Sequence, residues 1–498
     1  MTTADLAPDS GADSSARGAV RGGDRAAYAI GEARHAAVRV ARRPVRRPRP
    51  VPLWWRDASG AGFWGILLLV TALWVSGGGV QDLGSVSGFL ISTGRITGLV
   101  ASALLLVQVF LMARVPWFEQ AWGQDELARV HRLVGFTSFN LMLAHIGLIT
   151  LGYAAATPAG LWATIVDFVV NYPGMLLAVA GSACLVMVVV TSVKRARARL
   201  RYESWHLIHL YGYLGAGLAL PHQLWTGQEF LSSPAATVFW WGLYAVCAGS
   251  VLVFRLGLPA WRSLRSPLRV TSVRQEGQGA TTVTVGGPGV AALPVRAGQF
   301  FQWRFLDGPG ASRAHPFSLS AAPSGDTLRI TAAHVGDGSA RLATLRPGTR
   351  VLVEGPYGRL HEGVRTQRKV LLMGAGIGIT PLRAMLEGLA QQPGDVTVVH
   401  RIRSRAEQFL GSEIDRLARE RGARYLVVEG PRLPGRATWL PRQAAHLSDA
   451  EALRQLVPDV AHHDVYLCGA PGWMDAAREA ARVAGVPESR IHLERFAY

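Results

Sequence analysis

Six apolar stretches, each about long enough to cross a bilayer as a helix, occupy the first half of this 498-residue chain. They cover residues 62–80, 96–115, 130–153, 172–193, 205–224 and 238–258, and no comparable stretch follows. The charged fraction of 17% is also below the roughly one quarter that is typical of soluble domains. The sequence therefore predicts an all-α bundle of six transmembrane helices over residues 56–262.

Positive charge is distributed unevenly around these stretches, although the chain as a whole carries +18. The basic segments lie at residues 39–56, 194–201 and 255–265. The alternate loops, residues 81–94, 154–171 and 225–237, contain neither lysine nor arginine. Cytoplasmic loops carry the excess of basic residues, so we expect both termini in the cytoplasm and a multi-pass protein of the plasma membrane. The charge then indicates membrane topology, with the lipid bilayer as partner and no nucleic acid.

The remaining segments predict three further units. Residues 1–55 are rich in small and polar residues and end in an arginine-rich run, which predicts a disordered basic tail beside the membrane. Residues 263–365 contain short β-branched runs between Gly/Pro turns, which predicts an antiparallel β-barrel or sandwich. Residues 366–498 alternate apolar strands with helical stretches, which predicts an α/β domain with a parallel sheet.

Two of the apolar stretches each carry a pair of widely spaced histidines: His131 and His145, 14 residues apart, and His209 and His222, 13 apart. Fourteen residues of helix return a side chain nearly to the same face, about 21 Å further along. Thirteen residues fall about 140° short of whole turns, so the second pair needs a local distortion, for which Pro221 is the candidate.

Histidine pairs on two helices suggest two stacked b-type haems, because neutral imidazole is a good axial ligand for haem iron. Each haem would take one histidine from each helix, with His131 and His209 towards the inner side. His206, one turn before His209, stays open as the alternative inner ligand. Another interpretation is that the histidines only line a cavity or bond to neighbouring backbone. Arg95, at the outer end of the second stretch, would contact a haem propionate, an anionic substrate or lipid headgroups.

Specific local motifs occur in the second half of the chain. His315-Pro316-Phe317-Ser318 lies between predicted barrel strands. Gly374-Ala375-Gly376-Ile377-Gly378-Ile379-Thr380-Pro381 follows an apolar strand and opens a helix. A strand, a glycine turn and a helix N-terminus form a pyrophosphate site, because free N–H groups and the helix dipole attract anions. The turn is not GxGxxG, since Ile379 occupies the last glycine position.

These motifs, together with Cys468-Gly469-Ala470-Pro471 and the terminal Glu494-Arg495-Phe496, resemble the ferredoxin–NADP reductase type of flavoprotein. The histidine spacings and six spans ahead of that module resemble the ferric reductase and NADPH oxidase superfamily. The resemblance covers roughly residues 60–498. It implies FAD, NADPH and two haem b as cofactors. Ala470 departs from the family, which often has proline there.

The resemblance also implies roles for individual residues. Ser318 would bond the flavin near N5, Cys468 would sit by the nicotinamide, and Phe496, with Glu494 nearby, would cover the flavin face unless Tyr498 does so. The expected FAD contacts are His315, Pro316, Phe317, Ser318, Ser320, Val335, Gly336, Gly338 and Ser339. The expected NADPH contacts are Gly374, Gly376, Gly378, Thr380, Pro381, Arg401, Arg403, Cys468 and Gly469.

The choice of NADPH over NADH depends on Arg401, Arg403 and Arg405, which follow the second strand of the α/β domain. Arginine suits an adenosine 2′-phosphate, whereas an acidic residue there would favour NADH. The sequence therefore predicts a transmembrane oxidoreductase that carries electrons from NADPH through FAD and two haems to an external small-molecule acceptor, a ferric chelate or O₂. A quinone or a protein acceptor stays open. The alternative from another class is a six-span transporter or channel with a redox-sensing flavoprotein module and no haem.

Overall fold

A computed structural model describes residues 54–158, 160–200, 202–231, 233–265, 267–277, 279–308, 311 and 313–494. The predictions for the basic tail fall almost wholly outside these residues, and those for Phe496 and Tyr498 do so entirely.

The first half of the described chain is helical. Its helices of more than four residues are α1 (Trp54–Ser76), α2 (Val86–Leu111), α3 (Pro116–Trp122), α4 (Gln124–Ala156), α5 (Gly160–Asn171), α6 (Met175–Ser192), α7 (Tyr202–Trp225) and α8 (Pro234–Arg265). Within the described residues, α1, α2, α4, α6 and α8 are long and apolar enough to cross a membrane. Large apolar side chains on these helices face outwards, such as Leu68, 70% exposed, and Val86, 77% exposed. Such a surface suits lipid.

The fifth predicted span forms α7, a helix of 24 residues, but α7 is not among those five apolar helices. His206, His209, His222 and Pro221 reduce its apolar character without shortening it. The structure thus gives five candidate spans where the sequence predicted six. It also places the short apolar helix α5 in a segment that the sequence analysis treated as an outer loop.

Glycines allow the helices to approach one another closely. A Cβ atom on Gly181 of α6 would lie 2.8 Å from the carbonyl oxygen of Gly215 on α7, and the reverse distance is 2.9 Å. A Cβ atom on Gly94 of α2 would lie 2.9 Å from the side chain of Ile149 on α4. Small residues at helix contacts are the usual means of close packing in a membrane. The α2–α4 and α6–α7 pairs formed in this way frame the interior of the bundle.

The next part of the chain forms an antiparallel sheet with the strand order β4-β3-β6-β1-β2-β5. Its strands are β1 (Leu268–Gln275), β2 (Ala280–Gly286), β3 (Phe300–Phe305), β4 (His315–Ser318), β5 (Thr327–Ala333) and β6 (Arg350–Tyr357). An isolated bridge between Leu319 and Ile330 brings the two edges of this sheet together just after β4. Buried Phe301 and Trp303 form part of its core.

The last part is a parallel sheet with the strand order β11-β10-β7-β8-β9, with helices packed against it. Its elements are β7 (Lys369–Ala375), α9 (Ile379–Gly388), β8 (Val396–Ile402), α10 (Gly411–Arg421), β9 (Arg424–Glu429), α11 (Asp449–Leu456), β10 (His463–Cys468), α12 (Pro471–Val483) and β11 (Ile491–Glu494). Gly374, Cys468 and Glu494 occupy neighbouring register positions at the carboxyl ends of β7, β10 and β11. Ligands bind at this edge of parallel sheets.

Candidate cofactor sites

A cavity of about 1910 Å³ lies inside the helical bundle, and α2, α4, α6 and α7 contribute most of its walls. His131, His145, His209 and His222 all line it. A single drug-sized ligand occupies a pocket of about 300–1,000 Å³, so this cavity has room for two large groups. Both histidines of α7 reach it although they are 13 residues apart, with Pro221 inside the helix between them.

Each of the four imidazole rings uses its Nδ1 atom for a local hydrogen bond. The partners are Gln108 O for His131 at 3.1 Å, Gly94 O for His145 at 2.8 Å, Ser192 Oγ for His209 at 3.3 Å and Ala219 O for His222 at 2.5 Å. Histidines that bind a metal through Nε2 are commonly oriented in this way by a bond from the other ring nitrogen. The arrangement therefore leaves the Nε2 atoms for the cavity.

His131 and His209 both line the cavity, and their rings lie in a T-shaped arrangement with centroids 6.0 Å apart. An imidazole nitrogen binds a metal ion at about 2 Å, so two imidazoles on opposite sides of one ion have centroids about 6 Å apart. The observed separation fits one metal ion between these two rings. His206 also lines the cavity.

Arginines line the cavity at both ends. Near His131 these are Arg114, Arg132, Arg197 and Arg255. Near His145 the cavity is lined by Arg95, which donates to Asp82 Oδ2 at 2.7 Å and also to Glu229. Arg95 is thus engaged by two carboxylates.

Among the described residues no three His, Cys, Asp or Glu side chains gather as a protein-only metal site would need. Histidines and arginines that line one cavity fit haem, whose propionates are anionic, although Arg95 is already paired with Asp82 and Glu229.

Ser318 ends β4 with a buried hydroxyl that has no hydrogen-bond partner in the described structure. Nearby, the rings of His315 and Phe317 stack at 6.1 Å. Gly338 lies against His315, because a Cβ atom at position 338 would be 2.4 Å from the ring. A buried polar atom without a partner is costly, so Ser318 Oγ is suited to a bond with a bound flavin.

Two other serines expected to contact FAD are bonded within the protein. Ser320 Oγ accepts from Thr331 at 2.8 Å, inside the sheet core. Ser339 Oγ accepts from the backbone N–H groups of Val335 and Gly336 at 3.0 and 3.2 Å. Ser339 therefore fixes the turn at residues 335–339. Ser320 is bonded inside the sheet core, and its expected contact with FAD stays a prediction.

The glycine turn follows β7 and packs tightly. Gly376 has φ of 54°, a conformation that glycine adopts without strain. A Cβ atom on Gly378 would lie 2.4 Å from the carbonyl oxygen of Cys468. Thr380 Oγ1 donates to Ile377 O at 3.0 Å and so fixes the start of α9. The turn thus places the N-terminus of α9 at the sheet edge, an arrangement that suits a pyrophosphate.

Cys468 and Glu494 lie beside this turn and are both buried. Burial raises the pKa of the Cys468 thiol well above its ordinary value, and the Glu494 charge raises it further. The thiol is therefore neutral at pH 7 and is not a nucleophile. The Glu494 carboxylate packs against the chain at Gly358, where a Cβ atom would be 2.4 Å from Oε1.

His400 supports the glycine turn, although sequence reasoning did not select it. Its Nε2 atom is 3.1 Å from Gly376 O, and its Nδ1 atom is 3.1 Å from the Tyr425 hydroxyl. Burial lowers the pKa of His400 to about 4, so the ring is neutral at pH 7. The sequence feature that could have identified His400 is its position as a polar residue near the end of the apolar strand β8, next to the strand that leads into the glycine turn.

The three arginines after the second parallel strand have different roles. The buried Arg401 donates to the backbone carbonyls of Trp439 and Pro431 at 3.2 and 3.4 Å, so its guanidinium supports the fold, and its expected contact with NADPH stays a prediction. Arg403 is 64% exposed and bonds Glu407 at 2.7 Å. Arg405 is 70% exposed. Arg403 and Arg405 thus remain available at the sheet edge.

Comparisons with known proteins match the two halves of the chain separately. Residues 97–220 match the ferric reductase like transmembrane component, and residues 372–479 match the oxidoreductase NAD-binding domain. A flavohemoprotein from Chromobacterium violaceum is 30% identical over 48% of this chain and 61% of its own length. An NADPH oxidoreductase from Mycobacterium tuberculosis is 29% identical over 49% and 63%. Ferredoxin–NADP reductase B from Sorangium cellulosum is 30% identical over 38% and 80%. The chain thus spans about three fifths of the first two relatives.

Proposed function

Because the chain belongs to the ferric reductase and NADPH oxidase superfamily, we propose that it carries electrons from cytosolic NADPH through FAD and two b-type haems to an external acceptor. The matched modules make it a transmembrane flavoprotein oxidoreductase. The observation that carries the haem part of the proposal is the 6.0 Å separation of the His131 and His209 rings inside the cavity. His145 and His222 are the proposed second pair.

We propose that α7 is the sixth span, because its 24 residues suffice to cross a bilayer and its histidines line the interior cavity. Six spans would return the chain to its starting side. The asymmetry of the basic loops supports our proposal that the reductase module lies in the cytoplasm of a plasma-membrane protein. The bridge between Leu319 and Ile330 supports closure of the antiparallel sheet into a barrel.

When bound, FAD would supply the means to accept a hydride from NADPH and pass on single electrons, and haem would supply single-electron carriers. The residues of the chain bind and orient these groups. The Ser318 hydroxyl would hold the flavin near N5, the N–H groups at the start of α9 would bind the pyrophosphate of NADPH, and the neutral Cys468 thiol would pack by the nicotinamide. Arg403 binds the 2′-phosphate, a preference that the NADPH oxidoreductase relative supports.

The haem spectrum of the purified full chain tests this function. We expect a Soret band and a reduced-minus-oxidised b-type spectrum at about two haems per chain. His209→Ala should remove one haem, whereas His206→Ala, the matched control one turn away, should keep both. A chain without haem would overturn the proposal and favour a transporter or channel with a redox-sensing module.

The acceptor is tested with NADPH and a ferric chelate. Reduction that is unaffected by superoxide dismutase identifies a ferric reductase, and dismutase-sensitive reduction identifies an oxidase that forms superoxide. A requirement for an added quinone or protein would identify that component as the acceptor.

A further inference from the structure

The helical half and the reductase half meet at an arginine stacked on a tyrosine. The Arg114 guanidinium lies over the Tyr357 ring, 4.3 Å from its centroid. Arg114 follows α2, and Tyr357 is the last residue of β6. The backbone φ angle of Arg114 is 63°, which is a left-handed conformation that costs a non-glycine residue free energy. The contacts around Arg114 therefore hold the backbone in this conformation.

Polar contacts fix both partners of this stack. Arg114 Nη1 donates to Gln124 Oε1 at 2.6 Å and to Glu119 Oε1 at 3.3 Å, both on the helical side. The Tyr357 hydroxyl donates to Glu354 Oε1 at 2.9 Å on the reductase side. Tyr357 is 8% exposed, so its ring is desolvated at the junction. A cation over a desolvated aromatic ring is the stronger form of this interaction.

A continuous set of contacts links this stack to both candidate cofactor sites. Arg114 lines the cavity that also holds His131. On the other side, the Tyr357 ring is 5.7 Å from the ring of Phe300, and Phe300 pairs with Ser318 in the sheet. The stack thus lies between the Ser318 hydroxyl and the inner end of the cavity.

Two further contacts hold the junction in one arrangement. Arg262 of α8 donates from Nη1 to Gly355 O at 2.6 Å. Gly123, before α4, lies against Arg359, because a Cβ atom at position 123 would be 2.9 Å from Arg359 Cδ. Only residues 266 and 267 separate α8 from β1, so the connection between the halves is short.

We propose that Arg114 and Tyr357 are positioning residues that dock the reductase module on the membrane domain, with the flavin site facing the inner haem site. The proposal rests on the proposed function. Loss of the stack then slows electron transfer from flavin to haem and leaves hydride transfer from NADPH to flavin unchanged, because the turn that binds NADPH lies in the other sheet.

Stopped-flow spectroscopy of the full chain with NADPH separates the two steps, through flavin bleaching and haem reduction. In Tyr357→Leu we expect haem reduction to be about tenfold slower, as the loss of one desolvated cation–aromatic contact implies, with flavin bleaching unchanged. Tyr357→Phe keeps the ring and should stay near the wild-type rate. The matched control is Trp261→Leu, which removes an arginine–aromatic contact that lies within α8.

Hydrogen exchange supplies a readout that needs no electron transfer. Tyr357→Leu and Arg114→Gln should raise amide exchange at residues 113–123 and 354–360 in protein with or without bound haem, and Tyr357→Phe and Trp261→Leu should not. Unchanged exchange together with unchanged haem reduction in Tyr357→Leu would overturn the docking role. Equal slowing of flavin bleaching and haem reduction would also overturn it. Failure of the proposed function would appear separately, as protein without haem.

Discussion

At the scale of single residues, the Ser318 hydroxyl gives the most direct support for the proposed flavin site, because it is buried without a hydrogen-bond partner in the described structure. Ser318→Ala should lower the rate of flavin reduction by NADPH about tenfold, as the loss of one hydrogen bond to the reacting group implies. Single-turnover bleaching of bound FAD measures it. Ser320→Ala is the control, because Ser320 bonds Thr331 in the core and its loss should reduce stability without changing this rate. Equal rate losses in both variants would contradict the assignment.

Glu119 is a second residue whose environment has a measurable consequence. Burial raises the pKa of its carboxyl from 4.5 to about 7, Arg114 lowers it and Glu354 raises it again. The folded protein therefore favours the protonated form. The stabilisation of the folded state by protonated Glu119 is fully present below pH 4.5. It is lost as the pH rises through about 7, and the free energy of unfolding falls by about 3 kcal/mol.

The thermal midpoint of the purified protein should consequently fall between pH 5 and pH 8, and Glu119→Gln should reduce this fall. Glu126→Gln on the neighbouring helix is the control, because Glu126 pairs with the exposed Arg129. A pH dependence that is the same in wild type and Glu119→Gln would contradict the assignment.

At the scale of elements, glycines set the distance between α2 and α4 at a proposed haem ligand. A Cβ atom on Gly98 of α2 would lie 2.4 Å from His145 Nδ1, the atom that now bonds Gly94 O at 2.8 Å. Gly98→Ala should displace the His145 ring and reduce the haem content from about two per chain towards one. Gly242→Ala is the matched control, since a Cβ atom there meets nothing within 4 Å. Pyridine haemochrome analysis measures the content, and retention of both haems in Gly98→Ala would contradict the proposed outer site.

The same elements show what the sequence could predict. Length and apolar character were enough for α1, α2, α4, α6 and α8, because lipid leaves few alternatives to a helix. The glycine turn was recognisable because strand, turn and helix are adjacent in sequence.

Contacts between distant segments were not predictable in this way. The stack of Arg114 on Tyr357 joins residues 243 positions apart in the numbering, and no local pattern marks either partner. Sequence order places Arg401 at a ligand-binding edge, but it could not show that the guanidinium turns inwards to the Trp439 carbonyl. The bonds from Nδ1 of His131, His145 and His209 to residues on other helices likewise depend on packing.

At the scale of the whole molecule, the proposed function passes electrons from NADPH at one sheet to a flavin at the other, so it requires a fixed relation between the two sheets. Glu413 of α10 supplies a bridge between them. Its Oε1 atom accepts from Arg329 of β5 at 2.9 Å and also from Arg383 of α9. Burial raises the pKa of Glu413, but the bonds and charges of both arginines outweigh burial and leave the pKa below its ordinary value.

Glu413→Gln should therefore destabilise the reductase module by about 3 kcal/mol at pH 7, because it leaves two largely buried arginines without this carboxylate. Since folding lowers the pKa of Glu413, the carboxylate stabilises the folded wild type above the ordinary pKa of 4.5. The difference in stability between wild type and Glu413→Gln should disappear as the pH falls below that value. Release of FAD fluorescence on heating measures this, and the Soret band reports the membrane half, which should not change. Glu420→Gln on the same helix is the control, because its exposed pair with Arg416 at 3.9 Å should contribute less than about 0.5 kcal/mol. Equal shifts in the two variants would show that Glu413 does not hold the sheets together.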